Sequence, residues 1–258
     1  MNTSQIDWRC LEKTNKMEVQ KNQNIGELVA QDYRSASVFK KYGIDFCCQG
    51  NRTISEACTT KEINVNNVLN DLNGMGNMNN SAGGIDFNSW PLDLLADYVE
   101  KTHHRYVEDK SPDIIAYLDT ICEVHGKNHT ELFEIRDLFQ KAVGNLTQHM
   151  KKEELILFPF IRKMEKAKRT NELLQKPSFG SIQNPINEME SEHSTEGDRF
   201  RDIEALSNYY TPPAEDACNT YRVAFAMLKE FQDDLHLHIH LENNILFPKS
   251  ILLEKQLL

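Results

Sequence analysis

The chain has 258 residues and a formal net charge of −10, with 26% charged and 40% hydrophobic residues. Such a chain can bury one large core or two smaller ones, and its acidity argues against a general nucleic-acid-binding role, which needs a basic surface. No apolar run approaches bilayer-spanning length and "MNTSQIDWRCLEKTNKMEVQ" holds no hydrophobic signal core, so the expectation is a cytoplasmic protein that uses neither nucleic acid nor membrane.

Residues 1–21 read as a loosely ordered tail. Residues 22–73 read as a small domain of short helices. Ile25, Leu28 and Val29 begin an apolar face, and Gly43 closes "SASVFKKYG" as a C-cap. Thr53 and Glu56 in "TISE" have capping-box spacing. Val65, Val68, Leu69 and Leu72 recur at helical spacing before Gly74. About fifty residues make a marginal core alone. The small domain is therefore expected to pack on the rest of the chain or on a second copy, as a homodimer. Within it, Cys47 and Cys48 are adjacent, which strains a disulfide. In a reducing compartment they are thiols, metal ligands or redox groups.

Residues 74–88 include "GMGNMNNSAGG" and read as a flexible linker. The composition changes across it. All nine histidines lie at or after His103, and four of the six cysteines lie at or before Cys58.

Residues 89–258 read as a bundle of four main helices. Ser89 and Pro91 fit a helix start, and Ser111-Pro112 and Asn184-Pro185 each fit an N-cap followed by proline. Gly126 interrupts the second pattern, "QKPSFGSIQNP" is a loop, and "TPP" precedes the last helix. No strand-period alternation of any length occurs. The predicted fold class is all-α: a small helical domain followed by a four-helix bundle.

Helical spacing sorts the histidines by face. Leu92, Leu95, Val99 and His103 share a stripe, whereas His104 falls with Asp97, Glu100, Lys101 and Glu108. The spacing thus predicts His103 inward and His104 outward. Ile114, Leu118, Ile121 and His125 make a second stripe. Leu138, Ala142, Leu146, His149, Glu153, Ile156 and Phe160 make a third. Ile186, Met189, His193, Gly197 and Phe200 make a fourth, and Met227, Phe231, Asp234, His238, Glu242 and Ile245 a fifth. His236 and His240 fall on a wetter face with Lys229, Asp233 and Asn243.

Two stripes therefore carry a Glu four residues after a His, and i,i+4 side chains stack on one side of a helix. The two stretches "HMKKEELILFP" and "HIHLENNILFP" share that frame, 89 positions apart. An inward His alone is ordinary core. An inward carboxylate is costly unless paired, so two in one repeated frame point to a metal. Their common Ile-Leu-Phe-Pro tail reads as core plus a helix-bending proline. Five histidines and two glutamates are too many for one zinc, and imidazole with carboxylate in a bundle suits a pair of irons. Manganese fits the same donors. With both carboxylates bridging and one oxo or hydroxo bridge, roughly one or two positions of two octahedra remain open, enough for dioxygen or nitric oxide.

At these residues the sequence resembles a known family. The carboxy-terminal region is similar to hemerythrin-like domains. "YGIDFCCQG" (Tyr42–Gly50) resembles the Cys-Cys domain of the repair-of-iron-centres family of iron–sulfur cluster repair proteins, and "MESEH" and "LENNILFP" match it as well. The resemblance spans about residues 22–258, with Gln49 delaying the glycine expected after Cys48. It implies di-iron ligands at His103, His149, Glu153, His193, His238 and Glu242, with His125, or its neighbour His129, as a further one. It also implies bridging roles for Glu153 and Glu242, and for Cys47 and Cys48 a role in transient iron or sulfur handling or in redox exchange, the last of which needs a low-pKa thiolate. Cys122 is expected to flank the site as core, and Cys10, Cys58 and Cys218 to be unremarkable thiols. The implied function is stress-response repair of iron–sulfur clusters by iron donation, with damaged iron–sulfur proteins or cluster scaffolds as partners. Turnover as a nitric oxide reductase and reversible binding or sensing of nitric oxide or dioxygen are the alternatives.

Overall fold

The structure is a computed structural model that describes residues 18–75 and 85–258. The expected tail up to Met17 and the linker between residues 76 and 84 lie outside the described residues. Among the described residues there is no strand, only an isolated bridge between Asn24 and Thr53.

Four short helices form the small domain: α1 (Ile25–Gln31), α2 (Ser35–Lys41), α3 (Ile54–Thr60) and α4 (Val65–Gly74). Their starts are dictated by side chains. Asn24 caps α1 through the Glu27 N–H, and Thr53 and Glu56 close the expected capping box on α3. Gly43 adopts a φ of 61° after α2, a conformation glycine takes without strain.

The remaining helices form four long rods. The first joins α5 (Leu92–Tyr98) and α6 (Arg105–His125) through a π turn, Val99–His104. The second joins α7 (Glu131–Lys152) and α8 (Phe158–Thr170) through a π turn, Glu153–Leu157. The third is α9 (Gln183–Leu206). The fourth joins α10 (Asn219–Leu241) and α11 (Phe247–Leu257) through a π turn, Glu242–Leu246.

Ser111-Pro112 does not start a helix. Both residues lie within α6. Pro112 sits on the exposed side of the rod, where solvent can take the carbonyl that its missing N–H frees. The first two predicted stripes therefore belong to one rod. This separates His125 from His104 by 21 residues, about 30 Å of helix.

Two of the π turns have a visible cause. Glu153–Leu157 and Glu242–Leu246 each precede a Phe-Pro pair, and the N–H of Phe158 and of Phe247 donates to the carbonyl five residues back. Proline removes an i→i−4 bond and crowds the carbonyl of that residue. Widening the preceding turn by one residue relieves the crowding. The shared Ile-Leu-Phe-Pro tail thus does more than bend a helix, because each extra residue rotates the following side chains by about 100°. Ile156, predicted inward, is 48% exposed, while Leu157 and Phe158 are buried.

Two apolar cores fill the bundle. One gathers Val107, Ile114, Phe139, Leu146, Phe200 and Phe231, together with Ile25, Phe39 and Phe46 of the small domain. The other gathers Leu95, Val99, Phe158, Ile186, Leu241 and Phe247. The polar cluster described below lies between them along the rods. The small domain buries its apolar face on the bundle, where Phe46 packs against His236 and His240 at 6.1 and 6.0 Å between ring centroids. The face predicted to be wet is therefore covered: His240 is buried and His236 half-buried. Burial pushes both imidazoles down to about 4, so they are neutral at pH 7.

Candidate metal centre

The π turns deliver the site. His104 ends the first, and Glu153 and Glu242 begin the second and third. His149 and His238 lie one α-helical turn before the two glutamates, and His193 enters from α9. All six side chains are almost fully buried.

Their donor atoms form two overlapping groups. His104, Glu153, His238 and Glu242 make one; His149, Glu153, His193 and Glu242 make the other. Within each, the donor atoms lie within 4.8 Å of one another. Glu153 Oε2 is 3.3 Å from both His104 Nε2 and His149 Nε2. Glu242 Oε2 is 3.2 Å from both His193 Nε2 and His238 Nε2. Each carboxylate thus faces one imidazole from its own rod and one from a neighbouring rod.

This donor set fits a metal. Both oxygens of Glu153, both of Glu242, His104 Nε2 and both nitrogens of His238 are buried without a hydrogen-bond partner. Such orphaned polar atoms are costly unless something else satisfies them. The surrounding contacts fit as well. His104 Nδ1 pairs with Glu154 at 3.0 Å, His149 Nδ1 with Glu192 at 2.8 Å and His193 Nδ1 with Asn243 at 2.8 Å. Fixing the outward nitrogen turns Nε2 inward as a lone-pair donor, as metal-ligating histidines require. Burial opposes charge on Glu153 and Glu242, and their repulsion adds to it for Glu153. The neighbouring imidazoles prevail, and both carboxyls titrate below the usual range.

His103 is displaced from its expected place. The wheel from Val99 reaches His103 in four residues, but the π turn takes five and brings His104 to the same side. His104 is therefore fully buried in the cluster and not outward. His103 is buried beside it, outside both groups, with Nδ1 2.9 Å from Asp234 and its ring stacked on His238 at 5.6 Å. His125 is far from the cluster. Its Nε2 lies 3.2 Å from Cys218 Sγ. His129 is also remote, paired with Glu131 and Asp216. Cys122 is buried core at that far end.

Sequence spacing also missed Glu154, Glu192 and Asn243. Each is the immediate neighbour of a cluster residue, so adjacency to Glu153, His193 and Glu242 was the available signal.

The Cys-Cys loop reaches the cluster's edge. Asp45 Oδ1 accepts from the N–H groups of Cys47 and Cys48 at 3.0 and 2.9 Å, holding the turn. The sulfurs are 3.8 Å apart, and Cys48 Sγ lies 3.4 Å from the His193 carbonyl oxygen. The Cys48 sulfur, burial and Asp45 push the Cys47 thiol well up. In this setting the protonated thiol is favoured at Cys47 over the thiolate. On the α7–α9 side, a cavity of about 190 Å³ reaches His149 and His193 between Asn145, Gln148 and Thr195.

Comparison with known proteins agrees with this architecture. Residues 21–75 match the ScdA_N domain, described as a domain of unknown function, and residues 96–250 match the hemerythrin HHE cation binding domain. An iron-sulfur cluster repair protein ScdA of Staphylococcus haemolyticus is 29% identical over 225 residues, covering 87% of this chain and 96% of that protein. An iron-sulfur cluster repair protein YtfE of Yersinia pestis is 30% identical over 231 residues, covering 90% and 97%. The chain belongs to the ScdA/YtfE family. In that family's terms the six-residue cluster lies within its cation-binding domain, and Cys47 and Cys48 lie within its ScdA_N domain. No described helix is long and apolar enough to cross a membrane.

Proposed function

We propose that this protein holds two iron ions and repairs damaged iron–sulfur clusters by donating iron. The observation that carries the reading is the sharing of Glu153 and Glu242 between two four-residue groups. One iron would take His104 and His238, the other His149 and His193, and both glutamates would bridge. Imidazole with bridging carboxylate in a bundle is a di-iron donor set, and the family's named members are iron–sulfur cluster repair proteins. Bound there, iron supplies a Lewis-acidic, redox-active centre and the cargo itself.

The chain's own residues do the rest. Glu154, Glu192 and Asn243 orient imidazoles, and the two apolar cores close the cluster off along the rods. Lys152 pairs with Glu188 and Glu192 at 2.6 and 2.5 Å, anchoring the Glu192 that holds His149. Damaged iron–sulfur proteins or their scaffolds are the recipients, in the cytoplasm. Cys47 and Cys48 border the cluster beside His193, where they suit iron or sulfur handling as it leaves.

Iron content and the optical spectrum of the wild type against Glu153→Ala and Glu242→Ala test the centre. Unchanged iron in both variants would refute it. For the activity, loaded protein is added to a nitric-oxide-damaged iron–sulfur enzyme. Recovery matching or exceeding that from free ferrous iron is expected, and no recovery where ferrous iron succeeds sinks donation.

A second reading has one observation in its favour. Four histidines and two bridging carboxylates fill roughly eight of the twelve positions of two octahedra, and the cavity beside His149 and His193 leads to them. Nitric oxide or dioxygen could bind there, and steady nitrous oxide production over many turnovers would establish a reductase.

A further inference from the structure

We propose that Asn243 couples the seating of the small domain to metal retention, acting as a positioning residue for His193. The inference rests on the reading of His193 as an iron ligand.

The Asn243 side chain spans the boundary between the two domains. Its Oδ1 accepts from His193 Nδ1 at 2.8 Å, and its Nδ2 donates to the Cys47 carbonyl at 3.2 Å. The two bonds fix each other. For His193 Nε2 to offer a lone pair, the ring proton must sit on Nδ1, and that proton needs an acceptor. The Asn243 amide presents its oxygen there only while its nitrogen points the other way, towards Cys47. With the Cys-Cys loop withdrawn, the amide nitrogen loses its acceptor. The amide can then rotate and offer N–H to Nδ1, which favours the tautomer that cannot bind metal through Nε2.

His193 is singular among the cluster imidazoles in this respect. The Nδ1 partners of His104 and His149 are Glu154 and Glu192, both on the bundle. Cys48 adds to the dependence, since its sulfur lies 3.4 Å from the His193 carbonyl. A Cβ at Gly197, one turn further along α9, would stand 3.0 Å from that sulfur.

The next residue holds the loop in place. Asn244 Nδ2 donates to the Phe46 carbonyl at 3.2 Å and meets His240 Nδ1 at 3.0 Å. Its side chain is wedged between two glycines of the small domain. A Cβ at Gly26 would lie 2.8 Å from Asn244 Cγ, and one at Gly50 would lie 2.8 Å from its Oδ1. A side chain at position 26 must therefore displace the Asn244 amide, which holds the Phe46 carbonyl of the small domain, although position 26 lies outside the cluster. The Asn243-Asn244 pair follows Glu242 directly, so one π turn presents both the carboxylate and the interdomain latch.

Iron release to a coloured ferrous chelator tests this on the full chain, after loading and a check that iron content and helical circular dichroism match the wild type. Loss of a group that orients a ligand weakens metal affinity about 10–100-fold, so Asn243→Ala should release iron at least about 10-fold faster. Gly26→Val and Asn244→Ala, which disrupt the Asn244 latch on the small domain without altering a cluster residue, should do the same. Asn243→Asp keeps an acceptor for His193 whether or not Cys47 is present, so combining it with Gly26→Val should restore slow release. A merely structural effect of Gly26→Val would not be rescued in this way. Wild-type release rates in both Gly26→Val and Asn244→Ala, or no rescue by Asn243→Asp, would overturn the coupling. A wild type that takes up no iron would instead overturn the di-iron reading on which it stands.

Discussion

Glu153 and Glu242 sit on different rods, yet their carboxylates belong to the same two donor groups, and none of their four oxygens has a hydrogen-bond partner. Two buried carboxylates at this separation repel, at a cost that only the imidazoles around them outweigh. A cation bound between them converts that cost into folding free energy. At a free-metal concentration of 100 times Kd, one site stabilises by about 2.7 kcal/mol. Thermal unfolding of iron-loaded protein should therefore come several degrees above that of chelator-treated protein. Glu153→Ala and Glu242→Ala should each lose this increment. Identical melting of loaded and stripped wild type would contradict the assignment.

His103 and His104 offer a sharper test, because they are adjacent, both buried and differ in position by one π-turn residue. His104→Ala removes a member of a donor group and should lower iron content to one ion per chain or fewer. His103→Ala removes a ring that stacks on His238 and pairs with Asp234. It should keep both irons while losing about 1–3 kcal/mol of stability from the unpaired partner. Metal analysis of the two variants beside their melting curves separates the roles. The reverse pattern would return His103 to the ligand set.

What the sequence made legible follows from this pair. The all-helical fold and the His149–Glu153 and His238–Glu242 frames could be read because helix stripes and i,i+4 stacking are local and periodic. Three of the inward stripes led to the cluster directly. The inversion of His103 and His104 was not legible. A regular wheel assumes about 100° per residue, and nothing in "VEKTHH" marks the extra residue of its π turn. The other two π turns carry Phe-Pro, so their phase shift, including the exposure of Ile156, had a visible cause. His125 was misplaced for a different reason. Ser111-Pro112 looked like a helix start, and reading two helices where one runs from Leu92 to His125 hid the length that separates them. Burial of His240 depended on Phe46 arriving from the other domain, which no single-helix pattern contains.

His125, once removed from the metal site, leaves a prediction of its own. Its Nε2 lies 3.2 Å from Cys218 Sγ, at the residue just before α10. Cys218 is exposed, whereas Cys47, Cys58 and Cys122 are buried. The His125 imidazole, with the Tyr221 backbone N–H at the helix start, draws the Cys218 thiol below its ordinary value against a small opposing effect of burial. Nearby His129 is engaged by Glu131 and Asp216, so it does not compete for the sulfur. The thiolate therefore persists to lower pH than in a free cysteine. Iodoacetamide at neutral pH should label Cys218 first among the described cysteines, and its rate-against-pH curve should have a midpoint below that of a free thiol. His125→Ala should move the midpoint up and slow labelling several-fold at neutral pH, while iron content stays at the wild-type level. Loss of iron in His125→Ala, with Cys218 labelling unchanged, would restore His125 to the metal centre and remove it from the thiol.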